Sequence, residues 1–155
     1  MRKYFLILCS AIFGIFLIFF AMHYAMADNI LDNSIKPIVN SSYTVNIYKN
    51  SKLGNYLVGS NNMTLYYLSG ETENNLKCTS KICLTKWPIL AANELNLPDT
   101  LNSSDFSIFT RPDGQKQVSY NGHPLYFFSE DKLPGYTLGD NFVTPVGTWK
   151  IIHIN

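Results

Sequence analysis

Apolar and polar positions divide the chain into three stretches of different rhythm. Tyr4 to Phe20 is an unbroken apolar run without a charge, preceded by Arg2 and Lys3 and followed by Ala25-Met26-Ala27. A basic start, an apolar middle and small residues at −3 and −1 make a secretory signal, cut between Ala27 and Asp28. The run also approaches the roughly 20 residues that span a bilayer, so an uncleaved inner-membrane anchor on residues 4–20 is the competing expectation. In either case Arg2 and Lys3 hold the N-terminus inside and the rest of the chain is delivered outside the cytoplasm. Residues 28–42 are polar, rich in Asn and Ser, and contain Pro37, which predicts a flexible leader. From Tyr43 onward the pattern turns to short alternating runs bounded by Gly, Asn and Pro, the signature of antiparallel strands.

Those runs repeat. Gly54 to Glu71 lies over Gly114 to Asp131 at an offset of 60 residues, with Val58 over Val118, Leu65-Tyr66 over Leu125-Tyr126 and Glu71 over Asp131. Trp87 follows Tyr66 by 21 residues, and Trp149 follows Tyr126 by 23. Asn121-Gly122 predicts a tight hairpin, since both turn positions favour positive φ, and Asn61-Asn62 is its weaker counterpart. Arg111-Pro112-Asp113-Gly114 predicts a turn between two further strands. Strands are also expected at Tyr43 to Tyr48 and at Trp149 to Ile154. Ser80 to Trp87 breaks the β pattern: Ser80 can cap and Pro88 stops the turn, which predicts a short helix near residues 80–87. The expected fold is therefore mainly β. Two related strand-hairpin repeats, too small to bury their own faces, pack into one domain at residues 43–155 behind an N-terminal signal helix.

Charge and cysteine content place this domain. Twelve basic residues face eleven acidic ones; losing Arg2 and Lys3 with residues 1–27 leaves ten against eleven, a formal charge of −1. A near-neutral chain without a basic run lacks the footprint of a nucleic-acid binder. Cys9 leaves with the signal, and Leu8 before it is too bulky for a lipid-attachment site. The remaining pair, Cys78 and Cys83, predicts a disulfide in an oxidising compartment.

The segments Leu125 to Asp131, Arg111 to Gly114, Tyr120 to Tyr126, Cys78 to Leu90, Pro134 to Asp140 and Gly147 to Ile152 resemble a bacterial family. It is described as a secreted repeat of unknown function, or as predicted lipoproteins with a Tyr-x-aromatic-x-x-Asp motif. The resemblance covers about residues 54–152. It implies export to the cell envelope and a repeat fold but no reaction, with roles in electron transfer or metal handling suspected for some members. The motif residues here are Tyr126, Phe128 and Asp131. In the first copy they become Tyr66, Leu68 and Glu71, an aliphatic residue and a Glu replacing the aromatic and the Asp.

Candidate chemistry is sparse. His123 and His153 read as unrelated surface or edge positions, and Met63 occupies the place of His123 in the first copy. Met63 with His123 is a metal candidate, Cys78 with Cys83 is the rival metal-binding or redox-active pair, and no cofactor is expected. Neither G-x-S-x-G nor H-E-x-x-H occurs, and the adjacent acids Glu130-Asp131 and the pair Glu71 and Glu73 read as solvated turns. The aromatics suit a core or a glycan groove, and a bond from Tyr126 to Asp131 would tie strand end to turn. The expectation is a periplasmic or secreted, non-enzymatic module that binds an envelope ligand or protein or serves structurally. It would bind no nucleic acid and touch the membrane only through its N-terminal segment. The alternative is a redox or metal-handling envelope protein with copper or haem-linked electron transfer.

Overall fold

A computed structural model describes residues 42–154. The expected signal helix, and the leader apart from Ser42, lie outside the described residues. Strand β1 (Ser42–Asn50) pairs antiparallel with β2 (Gly54–Gly59). The Asn50 side chain closes their turn by accepting from the backbone N–H groups of Lys52 and Leu53, both at 2.9 Å. A short β3 (Tyr66–Leu68) follows, then helix α1 (Lys81–Lys86), β4 (Glu94–Asn96) and a 3-10 turn at Ser103–Asp105. The chain continues through β5 (Phe106–Thr110), β6 (Lys116–Tyr120) and β7 (His123–Pro124). It ends with β8 (Phe142–Thr144), β9 (Gly147–Ile151) and β10 (His153–Ile154). The described fold is mainly β, with three small sheets ordered β10-β2-β1-β4, β3-β9-β8 and β5-β6-β7.

Local chemistry explains most boundaries. Asn121 and Gly122 adopt φ of 48° and 76°, as the tight β6–β7 hairpin requires. The β5–β6 turn is closed by Gly114 N–H donating to Arg111 C=O at 2.9 Å, with Gly114 at φ 84°. Ser80 caps α1 by accepting from Cys83 N–H at 3.2 Å, a bond worth about 1 kcal/mol. The expected single strand from Trp149 to Ile154 is interrupted at Ile152. Its first part pairs with β3 and β8, whereas His153 and Ile154 pair with β2, so the chain changes sheets there.

Backbone bonds around the two tyrosine strands come in matched pairs. Tyr66 N–H donates to Tyr126 C=O at 2.8 Å, and Tyr126 N–H returns to Tyr66 C=O at 2.9 Å. Ser69 N–H reaches Thr148 C=O and Ser129 N–H reaches Lys86 C=O, both at 2.9 Å. Leu57 N–H bonds Ile152 C=O at 3.0 Å, and Val118 N–H bonds Leu90 C=O at 2.9 Å. The partners are crossed. Tyr66 pairs with Ile151, beyond the later tryptophan, while Tyr126 pairs with Ile89, beyond the earlier one.

These pairs correct the uniform 60-residue alignment. Leu65 N–H bonds Leu57 C=O, and Leu125 N–H bonds Val118 C=O, so Leu57 rather than Val58 corresponds to Val118. Between the bridged residues Val58 and Thr64 lie residues 59–63, against 120–123 between Ser119 and Pro124. The first turn carries one extra residue, which shifts the register of everything before it. A one-residue slip on a strand exchanges its faces. Val58 accordingly packs in one core cluster and Val118 in the other.

The first cluster is aromatic, gathering Tyr56, Tyr66, Tyr126, Phe128, Trp87 and Trp149 with Cys78 and Leu68. The two tryptophans stack with centroids 3.9 Å apart and planes 5° from parallel, and Tyr126 meets Trp149 edge-on at 5.1 Å. Each such contact adds about 0.5–1.5 kcal/mol beyond simple burial. The second cluster is aliphatic, centred on Val45, Leu57, Leu65, Leu90, Val118 and Leu125. Within each tyrosine strand the first aromatic is buried in the aromatic cluster. The second, Tyr67 or Phe127, turns to the aliphatic one, as alternation on a strand demands.

Candidate functional site

Tyr66, Leu68, Glu71, Tyr126, Phe128 and Asp131 are all buried, with Glu71 fully enclosed and Asp131 5% exposed. The reading of the acids as solvated turns therefore fails for Glu71 and Asp131. Each follows a turn whose N–H closes back onto its strand, Glu71 to Leu68 C=O and Asp131 to Phe128 C=O, both at 3.1 Å. That turn swings the carboxylate inward beneath the aromatic cluster. Glu130, beside Asp131, stays at the surface, 3.4 Å from Lys86, and half-buried Glu73 accepts from the Ser107 and Ser119 hydroxyls.

The expected bond from Tyr126 to Asp131 is replaced by one from the other strand. Tyr66 donates its hydroxyl to Asp131 Oδ2 at 2.6 Å, and Asp131 Oδ1 accepts from Leu138 N–H at 2.9 Å. Both oxygens are thus satisfied by donors brought from distant positions in the chain. Burial raises the Asp131 carboxyl above its ordinary range, while the Tyr66 and Leu138 bonds oppose that shift. Burial, reinforced by the Asp131 bond, likewise raises the Tyr66 hydroxyl. The two groups thus form one direct phenol–carboxyl bond inside the core.

The second corner is built differently. Glu71 Oε1 accepts from the backbone N–H of Lys77 at 2.7 Å and of Cys78 at 2.9 Å, anchoring the segment that enters the disulfide. Its Oε2 has no hydrogen-bond partner among the described residues. Tyr126 instead meets Arg111, whose Nη1 lies 3.3 Å from the hydroxyl and also donates to the side chain of buried Gln117. Arg111 Nη2 reaches Cys78 C=O at 2.8 Å, and Nε lies 3.5 Å from Asp113. Burial first, and the Glu71 charge second, raise the Tyr126 hydroxyl. Glu71 and Arg111 both engage the Cys78 backbone, one at its N–H and the other at its C=O. Arg111 was readable only as a turn residue. Its signal, a lone arginine six residues before a Gln on a strand, is too weak to indicate burial.

Cys78 and Cys83 form the expected disulfide, with Cα atoms 5.5 Å apart. It ties the Glu71-anchored loop to α1, and both sulfur-bearing residues join or flank the aromatic cluster. Met63 and His123 are held by different partners. The turn containing Met63 bonds Gly135, through Gly135 N–H to Asn62 C=O at 3.1 Å. His123 Nδ1 lies 2.9 Å from Glu71 C=O, and its ring packs against Tyr67 at 5.2 Å. Among the described residues no group of three or more His, Cys, Asp or Glu is placed to hold a metal ion. Sequence reasoning also missed that His123 and His153 line one cavity. Their separation in the sequence conceals it, because only the switch of sheets at Ile152 carries His153 back beside β7.

Comparison with known proteins bears on the second of these corners. Residues 107–153 match the family described as a secreted repeat of unknown function. The match is narrower than the motif resemblance over residues 54–152. It runs from within β5 to the start of β10 and contains Arg111, Tyr126, Phe128, Asp131 and Trp149. The first motif, the disulfide and Trp87 lie outside the secreted-repeat match. No curated protein and no solved structure matches the chain. Among the described residues no helix is long and apolar enough to cross a membrane.

Proposed function

We propose that this protein is an exported cell-envelope module with a non-enzymatic binding or structural role, delivered by a cleaved signal at residues 1–27. Its domain is built from two related units that exchange their tryptophan strands, so that each unit is completed by the segment following the other. The crossed pairings of Tyr66 with Ile151 and of Tyr126 with Ile89 support this duplication. The match to a secreted repeat and the disulfide support export.

The observation that carries the reading is where the motif side chains go. The hydroxyl of Tyr66 and both oxygens of Asp131 are engaged in internal bonds. Glu71 is spent on two backbone donors at a site with no exposure. A catalytic acid needs a reacting group within hydrogen-bond reach. Groups that hold turns under a core serve the fold instead. Mass spectrometry of the full chain expressed with export in a bacterial host tests this reading. The expected periplasmic species begins at Asp28 and has Cys78 and Cys83 resistant to alkylation until reduced. Retention in the cytoplasm, or free thiols in the exported form, would contradict it. So would a haem absorption band in the purified protein.

A further inference from the structure

The motif tyrosines and acids are buried inside the fold, but a second set of polar side chains converges on a cavity of about 370 Å³ with unspent bonding capacity. Tyr67, Tyr120, His123 and His153 line it, together with Asn121 and the apolar pair Ile151 and Ile152. The hydroxyls of Tyr67 and Tyr120 and the ring of His153 make no hydrogen bond to any described residue. His123 is oriented. Its Nδ1 contacts the carbonyl of Glu71 at 2.9 Å, and since a carbonyl only accepts, that nitrogen carries the proton. In the neutral ring Nε2 is then a lone-pair acceptor.

Three elements make the cavity. β3 supplies Tyr67, the β6–β7 hairpin supplies Tyr120 and His123, and the crossing from β9 to β10 supplies Ile151 to His153. Tyr67 packs against His123 at 5.2 Å and Tyr120 against Phe106 at 4.9 Å, so both rings are positioned. None of the lining residues is Asp, Glu, Lys or Arg. A dication would find two imidazoles and no carboxylate or thiolate to neutralise it, and a charged organic ligand would find no counter-ion. The combination of aromatic rings, phenolic hydroxyls, one oriented acceptor and an apolar wall suits a neutral ring bearing hydroxyl groups.

We propose that this cavity binds a neutral saccharide unit, with Tyr67 and Tyr120 as the ring platform and His123 and His153 as hydrogen-bonding partners. This rests on the binding form of the function proposed above and names its ligand class. The test is an NMR titration of the exported, ¹⁵N-labelled protein with maltotriose and, separately, with triacetylchitotriose. Concentrations of about 10 mM would nearly saturate a site with a Kd of about 1 mM. The expected result is saturable shifts at Tyr67, Tyr120, His123 and His153 with at least one sugar. Affinity should fall roughly three- to tenfold in Tyr67→Phe and in His153→Ala, both conservative for folding. Absence of saturable shifts with both sugars overturns the assignment, as does binding unchanged in both variants. Broadening of the two histidine signals by equimolar Cu²⁺ without a sugar response overturns it in favour of a metal centre. Cleavage of either sugar would leave the site standing and overturn only the non-enzymatic reading.

Discussion

Two corners of the same core solve the same problem in different ways. At one, Tyr66 and Asp131 bond directly at 2.6 Å. At the other, the Glu71 charge adds to burial in raising the Tyr126 hydroxyl, but the phenol's bond is to Arg111 and the acid's bonds are to backbone. The residues before each acid are alike, so the motif alone does not decide the arrangement. Two differences do. Glu is one methylene longer than Asp, and here its carboxylate engages the donors of Lys77 and Cys78. No cation stands at the position that strand register matches to Arg111. By strand register Ile47 sits opposite Leu57 as Ile108 sits opposite Val118, which puts Asn50 where Arg111 would be. One corner joins a buried phenol directly to a buried carboxyl group. The other separates them, the phenol meeting a buried guanidinium and the carboxyl group meeting backbone N–H donors.

That difference can be broken from either side. The largest effect is expected from Arg111→Met, which removes the donors to Cys78 C=O and Gln117. Urea denaturation should show a loss of about 3–5 kcal/mol, because two buried acceptors lose their donor at about 1–3 kcal/mol each and the side chain's packing is lost with them. Tyr66→Phe should lose about 1.5–3 kcal/mol, because the deleted bond is short and its removal leaves a buried carboxyl oxygen without its donor. Tyr126→Phe should lose only about 0.5–1 kcal/mol in the same measurement, its contact with Arg111 being long at 3.3 Å and Arg111 retaining other acceptors. Equal losses in the two phenylalanine variants would abolish the distinction between the corners.

The smallest effect concerns pH. The Asp131 carboxyl is raised in the folded protein by burial, so folding favours its protonated form. Its contribution is fully present below the unfolded carboxyl's pKa of about 3.9 and is lost as pH rises through the higher folded value. The stability of the native protein relative to Asp131→Asn should therefore decline across that window and level off above it. A midpoint difference that grows with pH there would reverse the assignment.

Much of this architecture could be read from residue patterns. Asn121-Gly122, Arg111 to Gly114 and Ser80 with Pro88 are local signals, and local conformational preference suffices to place a turn or a cap. The Cys78–Cys83 pairing needed only counting and compartment. What escaped was nonlocal. The crossed pairing of Tyr66 with Ile151 and of Tyr126 with Ile89 leaves no trace along the chain, because each Trp lies at nearly the same distance after the tyrosine that precedes it. The extra residue at Gly59 to Met63 was hidden by an alignment that still matched small and apolar residues when slipped by one. The acids looked solvated because neighbouring charges ordinarily are, and burial is a property of what packs above them.

The sequence by itself determined the turn positions, the strand periodicity, the helix cap and the pairing of the cysteines. Each depends on dihedral preference, alternation or composition over a few residues. Tertiary structure alone decided that Asp131 answers to Tyr66, that Arg111 stands between Tyr126 and its surroundings, and that His123 and His153 share a cavity. Such choices follow from which strands come to lie together. That is settled by the collective burial of two clusters, a quantity no short stretch of the chain contains.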